Sequence, residues 1–353
     1  MERYDCKICS EEFIIEESYQ VPTFEINFPK GKFEYIVCSH CGSIQIKNIP
    51  DNLSDYYDND NYYSFTNFNK LISFLLSHFY KNYFHFDLIG YLTSFFLQYD
   101  ESWNSTAKLF KNNIIDFNSK ILDVGCGNGI FINHLSHLGF KNLEGTDPFI
   151  QEAILNDSYK VFKKEIQDLE STGEYDLILF KDSLEHVFNP IEILSEAERL
   201  LSDEGRILIT IPLKNGVMWD MYKEYSFILC PPTHIAVPSL KGLEFMASEC
   251  NLEICEIICD SNEFLLLMSE DKLNHRTQYS KDSISSYFNC VNPLRKFYNI
   301  YLKKFNTTFF KDKPLTIHQV HQKVNDLNNR QETDHATIIL KKIHINQRMA
   351  QYD

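Results

Sequence analysis

The stretch Lys120-Ile-Leu-Asp-Val-Gly-Cys-Gly-Asn-Gly-Ile-Phe-Ile-Asn-His-Leu135 constrains the fold of this 353-residue chain more than any other. Ile121 to Val124 is a short apolar run of the kind buried on both faces of a parallel sheet. Gly125, Gly127 and Gly129 follow, and a turn without Cβ atoms lets a ligand come close to the backbone. Ile130, Phe131, His134 and Leu138 then repeat at helical spacing. A strand, a glycine turn and a helix in that order belong to α/β folds that bind nucleotides at the carboxyl ends of their strands. Dinucleotide folds place a third glycine at the sixth position of the turn, and here that position is Ile130. The glycine sits one residue earlier, and an acid, Asp123, precedes the turn.

The resulting pattern, Asp123-x-Gly125-x-Gly127-x-Gly129, resembles the class I S-adenosylmethionine-dependent methyltransferases. The resemblance covers roughly residues 119–260. It implies a Rossmann-like, seven-stranded α/β sheet whose glycine turn takes the amino-acid end of the cofactor, with Asp123 nearby. Asn142-Leu-Glu-Gly-Thr-Asp147 reads as a second strand ending in an acid that can accept the ribose hydroxyls. A third strand and turn span Val161 to Leu169, and Gln167 and Asp168 match the family's adenine-edge positions. Tyr175 to Phe180 and Arg206 to Pro212 read as the next two strands, with a turn at Leu200 to Gly205 between them. Lys181, at the end of the first of these, completes the expected cofactor set. Leu252 to Cys259 supplies a sixth strand. The seventh is either Phe264 to Met268, as a hairpin, or the stretch from Leu327 to Lys342. The second choice makes residues 119–343 the methyltransferase domain, with a helical insertion over 271–330 and a tail at 344–353.

Lys181-Asp-Ser-Leu-Glu-His-Val-Phe-Asn-Pro190 is similar to the E-H-V-x-x-P stretch of many small-molecule methyltransferases, including O-methyltransferases of quinone biosynthesis. It would border the transferred methyl. Methyl transfer needs an oriented acceptor and, for a hydroxyl, removal of its proton, which suits a histidine. His186 is one candidate base, or a residue that orients the turn. His234, in the long connection Leu213 to Pro238, is the other, with packing or a helix-entry hydrogen bond as its alternative role. Cys126 lies beside the glycine turn and is assigned no chemistry. Cys230, Cys250, Cys255, Cys259 and Cys290 lack metal-like pairing.

The amino-terminal cysteines form a second signature. Cys6-Lys-Ile-Cys9 and Cys38-Ser-His-Cys41 are two C-x2-C pairs separated by 28 residues. A two-residue gap lets one tight turn aim two thiolates at one ion, and two such turns complete the tetrahedral S4 environment that zinc prefers. Val21 to Phe28 and Phe33 to Val37 read as strands of a zinc ribbon over residues 1–50. His40 could replace one cysteine. With four protein ligands the zinc would be structural, stapling a segment too small for a large core. Residues 51–118 follow as a connector or cap. Its acidic, tyrosine-rich start (Asp51 to Tyr63) lacks the glycine and closing glutamate of a calcium loop. Leu71 to Tyr99 reads as aromatic-rich helices.

Charge sorts the functions that remain. The net charge is −15. Residues 271–353 hold 14 basic and 7 acidic residues, which leaves −22 on the first 270. So acidic a body argues against gripping a phosphate backbone, and hence against nucleic acid as the partner. No run of 18 apolar residues marks a membrane span, and the charged start Met1-Glu2-Arg3 is unlike a signal peptide. The cysteines are thus expected in a reducing cytoplasm. The zinc pair, the tyrosine-rich segment and the core together resemble sugar and glycan methyltransferases of bacterial polysaccharide and natural-product pathways. That resemblance implies methylation of a sugar, a sugar-linked acceptor or another small molecule, and the lack of the further histidine and tyrosine motifs of its carbon-methylating members points to O-methylation. The alternatives are an RNA methyltransferase using the zinc ribbon and a C-methyltransferase acting on a nucleotide-linked keto-sugar.

Overall fold

The computed structural model describes residues 2–23, 29–57, 101–275, 304–305 and 315–343. Outside the described residues lie the strand end expected at 24–28, the aromatic helices expected over 71–99, most of the expected insertion (276–303 and 306–314), Cys290 and the tail 344–353. The chain forms two compact units. The first comprises Met1–Tyr56, Pro212–Phe245 and Ile258–Ala336; the second comprises Tyr57–Ile211, Met246–Ile257 and Thr337–Asp353.

The second unit is built on an eight-stranded sheet. Its strands in chain order are β1 (Lys120–Val124), β2 (Asn142–Thr146), β3 (Ile154–Leu155), β4 (Lys160–Phe162), β5 (Tyr175–Lys181), β6 (Leu201–Pro212), β7 (Leu252–Cys259) and β8 (His335–Lys342). Across the sheet the order is β7-β8-β6-β5-β1-β2-β4-β3. β6, β5, β1, β2 and β4 are parallel neighbours, and β3 closes the edge antiparallel to β4. The central strands are apolar on both faces, as a sheet covered on both sides requires: Leu177 pairs with Ile121, and Ile121 with Leu143. They form one core with Val161, Leu179 and Leu208. Trp103 and Leu109 of α1 (Glu101–Lys111) and Ile132 and Leu135 of α2 (Ile130–Leu138) belong to the same core.

Local chemistry sets the helix ends. Gly139 (φ 113°) stops α2, with the Phe140 N–H reaching back to the Leu135 carbonyl at 3.3 Å, a left-handed cap that suits glycine. α3 (Pro190–Leu200) starts at Asn189, whose side chain accepts from the Glu192 N–H at 3.3 Å, with proline at the first helical position.

Two expectations need correction, and one open alternative is decided. The sheet has eight strands rather than seven, because the two residues Ile154–Leu155 add an antiparallel edge. The turn expected at Leu200 to Gly205 is an irregularity inside β6: Tyr175 pairs with Leu201, but Leu177 pairs with Arg206. Gly205 is required there, since a Cβ would lie 2.9 Å from the Tyr175 carbonyl oxygen. Phe264 to Met268 is no strand but part of the helix Glu263–His275, capped by the Asn262 side chain, which accepts from the Leu265 N–H at 3.1 Å. β8 fills the last place, between β7 and β6.

In the first unit, Ser18–Pro22, Lys32–Val37, Ile44–Ile46 and Ala236–Val237 form an antiparallel four-stranded sheet. The ribbon expected over residues 1–50 therefore does not complete its own sheet; a strand from nearly two hundred residues later does. Val21, Tyr35, Ile44 and Ile46 bury against Trp219, Ile228, Leu229 and Ile235. A separate cluster joins Met218 and Leu266 to Val320, Val324 and Leu327 of the helix Ile317–Asn329. Among the described residues no helix is long and apolar enough to cross a membrane.

Candidate functional site

The strand order reverses at β1, which lies between β5 and β2. In open α/β sheets the crevice at such a point, outside the carboxyl ends, is where ligands bind. The residues that follow β1, β2 and β5 carry most of the expected site.

Gly125 (φ 73°), Gly127 (φ 53°) and Gly129 (φ 71°) all adopt the left-handed conformation. It costs other residues about 1–2 kcal/mol each. The turn is held from both flanks. On the β2 side, the Asp147 Oδ2 accepts from the Gly127 N–H at 2.9 Å, and its Oδ1 from the Phe149 N–H at 2.9 Å. On the β5 side, the Ser183 hydroxyl donates to the Val124 carbonyl at 2.8 Å. A Cβ on Gly125 would come within 2.6 Å of the Ser183 Cβ.

Asp123, the last acid of β1, is 2% exposed, and its Oδ1 has no hydrogen-bond partner among the described residues. Burial pushes its carboxyl up to about 7; Lys181 pulls against that shift and Asp147 adds to it. Burial also raises Asp147, against the three backbone N–H groups that favour its charged form. A buried carboxyl oxygen with spare acceptor capacity beside a glycine turn fits the ammonium of an amino-acid ligand. The oxygens of Asp147 each use one acceptor site on the backbone and keep another for a hydroxyl. These acceptors fit the ammonium and the ribose hydroxyls expected of S-adenosylmethionine.

The remaining expected residues divide. The Lys181 ammonium lies 5.6 Å from the centroid of the Phe131 ring and interacts with Asp123. Gln167 keeps a buried Oε1 with no hydrogen-bond partner among the described residues. Asp168 is exposed, and its carboxylate accepts from the Glu165 N–H at 3.3 Å, a capping role for the short helical turn Ile166–Asp168. Burial raises the Cys126 thiol well above its ordinary range, which keeps it an unreactive thiol.

After β5 the chain turns through Asp182 (φ 48°), a left-handed residue without glycine's freedom. Its N–H bonds the Thr210 carbonyl at 3.0 Å, and its carboxylate accepts from the Thr210 hydroxyl at 3.2 Å. That turn sets His186 at the crevice. Its Nδ1 lies 3.3 Å from the Tyr57 hydroxyl, and its Nε2 lies 3.8 Å from the buried Glu185 carboxyl. Ser183, Tyr57 and the half-exposed Phe149 were not singled out in the sequence. The position of Phe149, two residues past Asp147, was the available signal.

In the first unit, His234 follows the cis Pro231–Pro232 bond. Its Nδ1 lies 2.7 Å from the Ile228 carbonyl, which accepts only if that nitrogen carries the proton; in the neutral ring the lone pair is then on Nε2. Its own carbonyl accepts from the buried Tyr35 hydroxyl at 2.6 Å.

The same unit brings Cys6, Cys9, Cys38 and Cys41 together, all buried, with their sulfurs within 4.8 Å of one another. Cys6 to Cys41 and Cys9 to Cys38 are each 3.7 Å. A tetrahedron of sulfurs about 2.3 Å from zinc has edges of roughly 3.8 Å, so the set is compatible with zinc. Both pairs turn alike. The Ser10 N–H bonds the Cys6 carbonyl at 2.8 Å, the Gly42 N–H bonds the Cys38 carbonyl at 2.9 Å, and both residues have positive φ. The Lys241 ammonium donates to the His40 carbonyl at 2.6 Å. His40 itself is exposed, its ring facing the Glu12 carbonyl, so it replaces no thiol.

A family model described as a methyltransferase domain matches residues 97–257. Residues 97–257 are thus a class I, S-adenosylmethionine-dependent methyltransferase domain. The ubiquinone biosynthesis O-methyltransferase of Escherichia fergusonii is 26% identical over 143 residues, covering 37% of this chain and 60% of that protein. The chain therefore matches under two thirds of that relative's length. Among solved structures, the geranyl diphosphate C-methyltransferase of Streptomyces coelicolor is similar at 10% identity and a TM-score of 0.41, covering 68% of this chain and 79% of that one. An O-methyltransferase from a trans-AT polyketide synthase of Brevibacillus brevis gives 17% and 0.37, covering 65% and 69%.

Proposed function

We propose that this protein methylates a hydroxyl of a sugar or sugar-linked intermediate in the cytoplasm, using S-adenosylmethionine, with a structural zinc at the four cysteines. The observation that supports the reading is the glycine turn after β1 held by Asp147 just after β2, with the buried Asp123 on β1 and with His186 in the segment that follows β5. An oxygen acceptor is supported by the relative named as an O-methyltransferase. A sugar-linked acceptor is supported by the resemblance of the cysteine pairs, tyrosine-rich segment and core to glycan methyltransferases.

In this reading Asp123 holds the cofactor's ammonium and Asp147 its ribose hydroxyls. Gln167 meets the adenine edge, and Lys181 balances the charge of Asp123. When bound, the cofactor supplies a methyl group activated by an adjacent sulfonium. Orientation of the acceptor beside that methyl does most of the work, and His186 takes up the acceptor's proton. His234, with its Nε2 lone pair, is the second candidate for that role. The cysteines would hold zinc away from chemistry, since four protein ligands leave no open position.

The test is transfer of labelled methyl from S-adenosylmethionine to a fractionated nucleotide-sugar pool, with the product analysed by NMR. A methyl ether on a sugar is expected. Label in RNA, a methyl on sugar carbon, or no cofactor binding by calorimetry would each refute part of the reading.

A further inference from the structure

Tyr57 crosses the crevice. Its ring lies flat on Phe149, just past the end of β2, with centroids 5.1 Å apart and planes 2° apart. Its hydroxyl reaches to 3.3 Å from the His186 Nδ1, beyond the end of β5, and its ring meets the imidazole edge-on at 6.2 Å and 73°. β1 and its glycine turn lie between those two strands. The phenol therefore links a residue just past β2 to one beyond the end of β5. On the far side of the imidazole, the Glu185 Oε1 faces Nε2 at 3.8 Å. That is too long for a hydrogen bond but close enough to act electrostatically.

A neutral imidazole has one N–H and one lone pair. A lone pair at Nε2 would oppose the oxygen of Glu185, whereas a proton there is attracted to it. That leaves the lone pair at Nδ1, where it accepts from the Tyr57 O–H. We infer that Tyr57 fixes His186 as the tautomer protonated at Nε2, and that protons reach His186 through the Tyr57 hydroxyl. Only the identity of the proton's source rests on the methyl-transfer reading. In that reaction the acceptor's O–H bond breaks and its proton joins the Tyr57 oxygen. The proton already on Tyr57 passes to Nδ1. The acceptor oxygen forms the new bond to the methyl carbon, and the electron pair of the breaking carbon–sulfur bond stays on sulfur. The positive charge lost at sulfur reappears on the imidazolium, beside Glu185. Tyr57 is then the group that touches the acceptor, and His186 the proton sink behind it.

The test needs no acceptor. Full-length protein labelled with 15N-histidine is saturated with S-adenosylhomocysteine, and its ring nitrogens are read by long-range 1H–15N NMR at pH 8. The His186 signals are assigned by their loss in His186→Gln. A protonated Nε2 and a hydrogen-bonded, unprotonated Nδ1 are expected. In Tyr57→Phe, which keeps the ring on Phe149, Nδ1 should move toward the position of a free lone pair. A proton on Nδ1 in the wild type overturns the inference, as does an unmoved Nδ1 in Tyr57→Phe. Calorimetry with S-adenosylmethionine on the same samples separates the two readings. Absence of cofactor binding refutes methyl transfer, while the tautomer stands or falls on the spectrum.

Discussion

The buried carboxyl of Asp123 makes cofactor binding depend on pH in a defined direction. Burial lifts this group to about 7. A bound ammonium needs it ionised, so binding at lower pH must first expel a proton. With a midpoint near 7, the ionised fraction falls from about one half at pH 7 to about 3% at pH 5.5, so affinity should drop roughly 15-fold over that interval. This range lies below the titration of an α-amino group, near 7.7–8.0, so the ligand's own ammonium stays charged. The assay is calorimetry with S-adenosylhomocysteine in buffers of different ionisation enthalpy, which also counts protons released. Asp123→Asn should bind weakly at every pH, with no such slope. The sign for stability runs the other way. A carboxyl raised above its unfolded value stabilises the folded state fully below about pH 4, and that contribution is lost as pH rises through 7. Asp123→Asn should therefore stabilise the ligand-free protein at pH 8, by about 4 kcal/mol at most, and have little effect at pH 4. An affinity constant from pH 5.5 to 7, with no proton release, would refute the assignment.

Other expectations concern neighbouring parts. Asp147→Ala removes the acceptor that holds the Gly127 and Phe149 N–H groups. Charge-assisted hydrogen bonds of this kind contribute about 1.5–3 kcal/mol each, so cofactor affinity should fall at least tenfold; calorimetry within twofold of wild type would refute the ribose role. Gly129→Ala puts a methyl 2.8 Å from the Val161 Cγ2 at φ 71°, and denaturant unfolding should show a loss of about 1–3 kcal/mol. Wild-type protein purified without chelator should carry one zinc per chain by elemental analysis and Cys38→Ser none; a metal-free wild type ends that proposal. Tyr57→Phe and His186→Gln should each slow methyl transfer to the active nucleotide-sugar fraction at least tenfold with cofactor affinity unchanged. A wild-type rate in Tyr57→Phe would make His186 the direct base.

Much of the glycine turn and its flanks was legible because these residues are constrained by backbone. Three glycines at alternate positions have few uses except a left-handed turn, and Asp147 follows from the length of one helix and one strand. The cysteine cluster was legible because a two-residue gap dictates a tight turn. Misread elements had weaker local signals. Phe264 to Met268 is a short apolar run, which strand and helix share, and the Asn262 cap was the clue that separated them. Gly205 looked like a turn but permits an irregularity within a strand. Ser183 and Tyr57 depend on contacts between residues 59 and 129 positions apart, which spacing along the chain does not encode.

The strand Ala236–Val237 has a consequence for how the cysteine segment can be studied. It pairs with Ile44–Ile46, the Ile46 N–H bonds the Ile235 carbonyl at 2.9 Å, and Tyr35 bonds the carbonyl of His234. Cutting the chain after residue 50 would strip the loop around His234 of its edge partner and expose Trp219, Ile228 and Leu229 to water. Removing the proposed zinc from the intact protein would pull on that same loop. A chelator should therefore alter the environment of His234, and a truncated protein would report the damage done to that loop rather than the behaviour of the remaining chain.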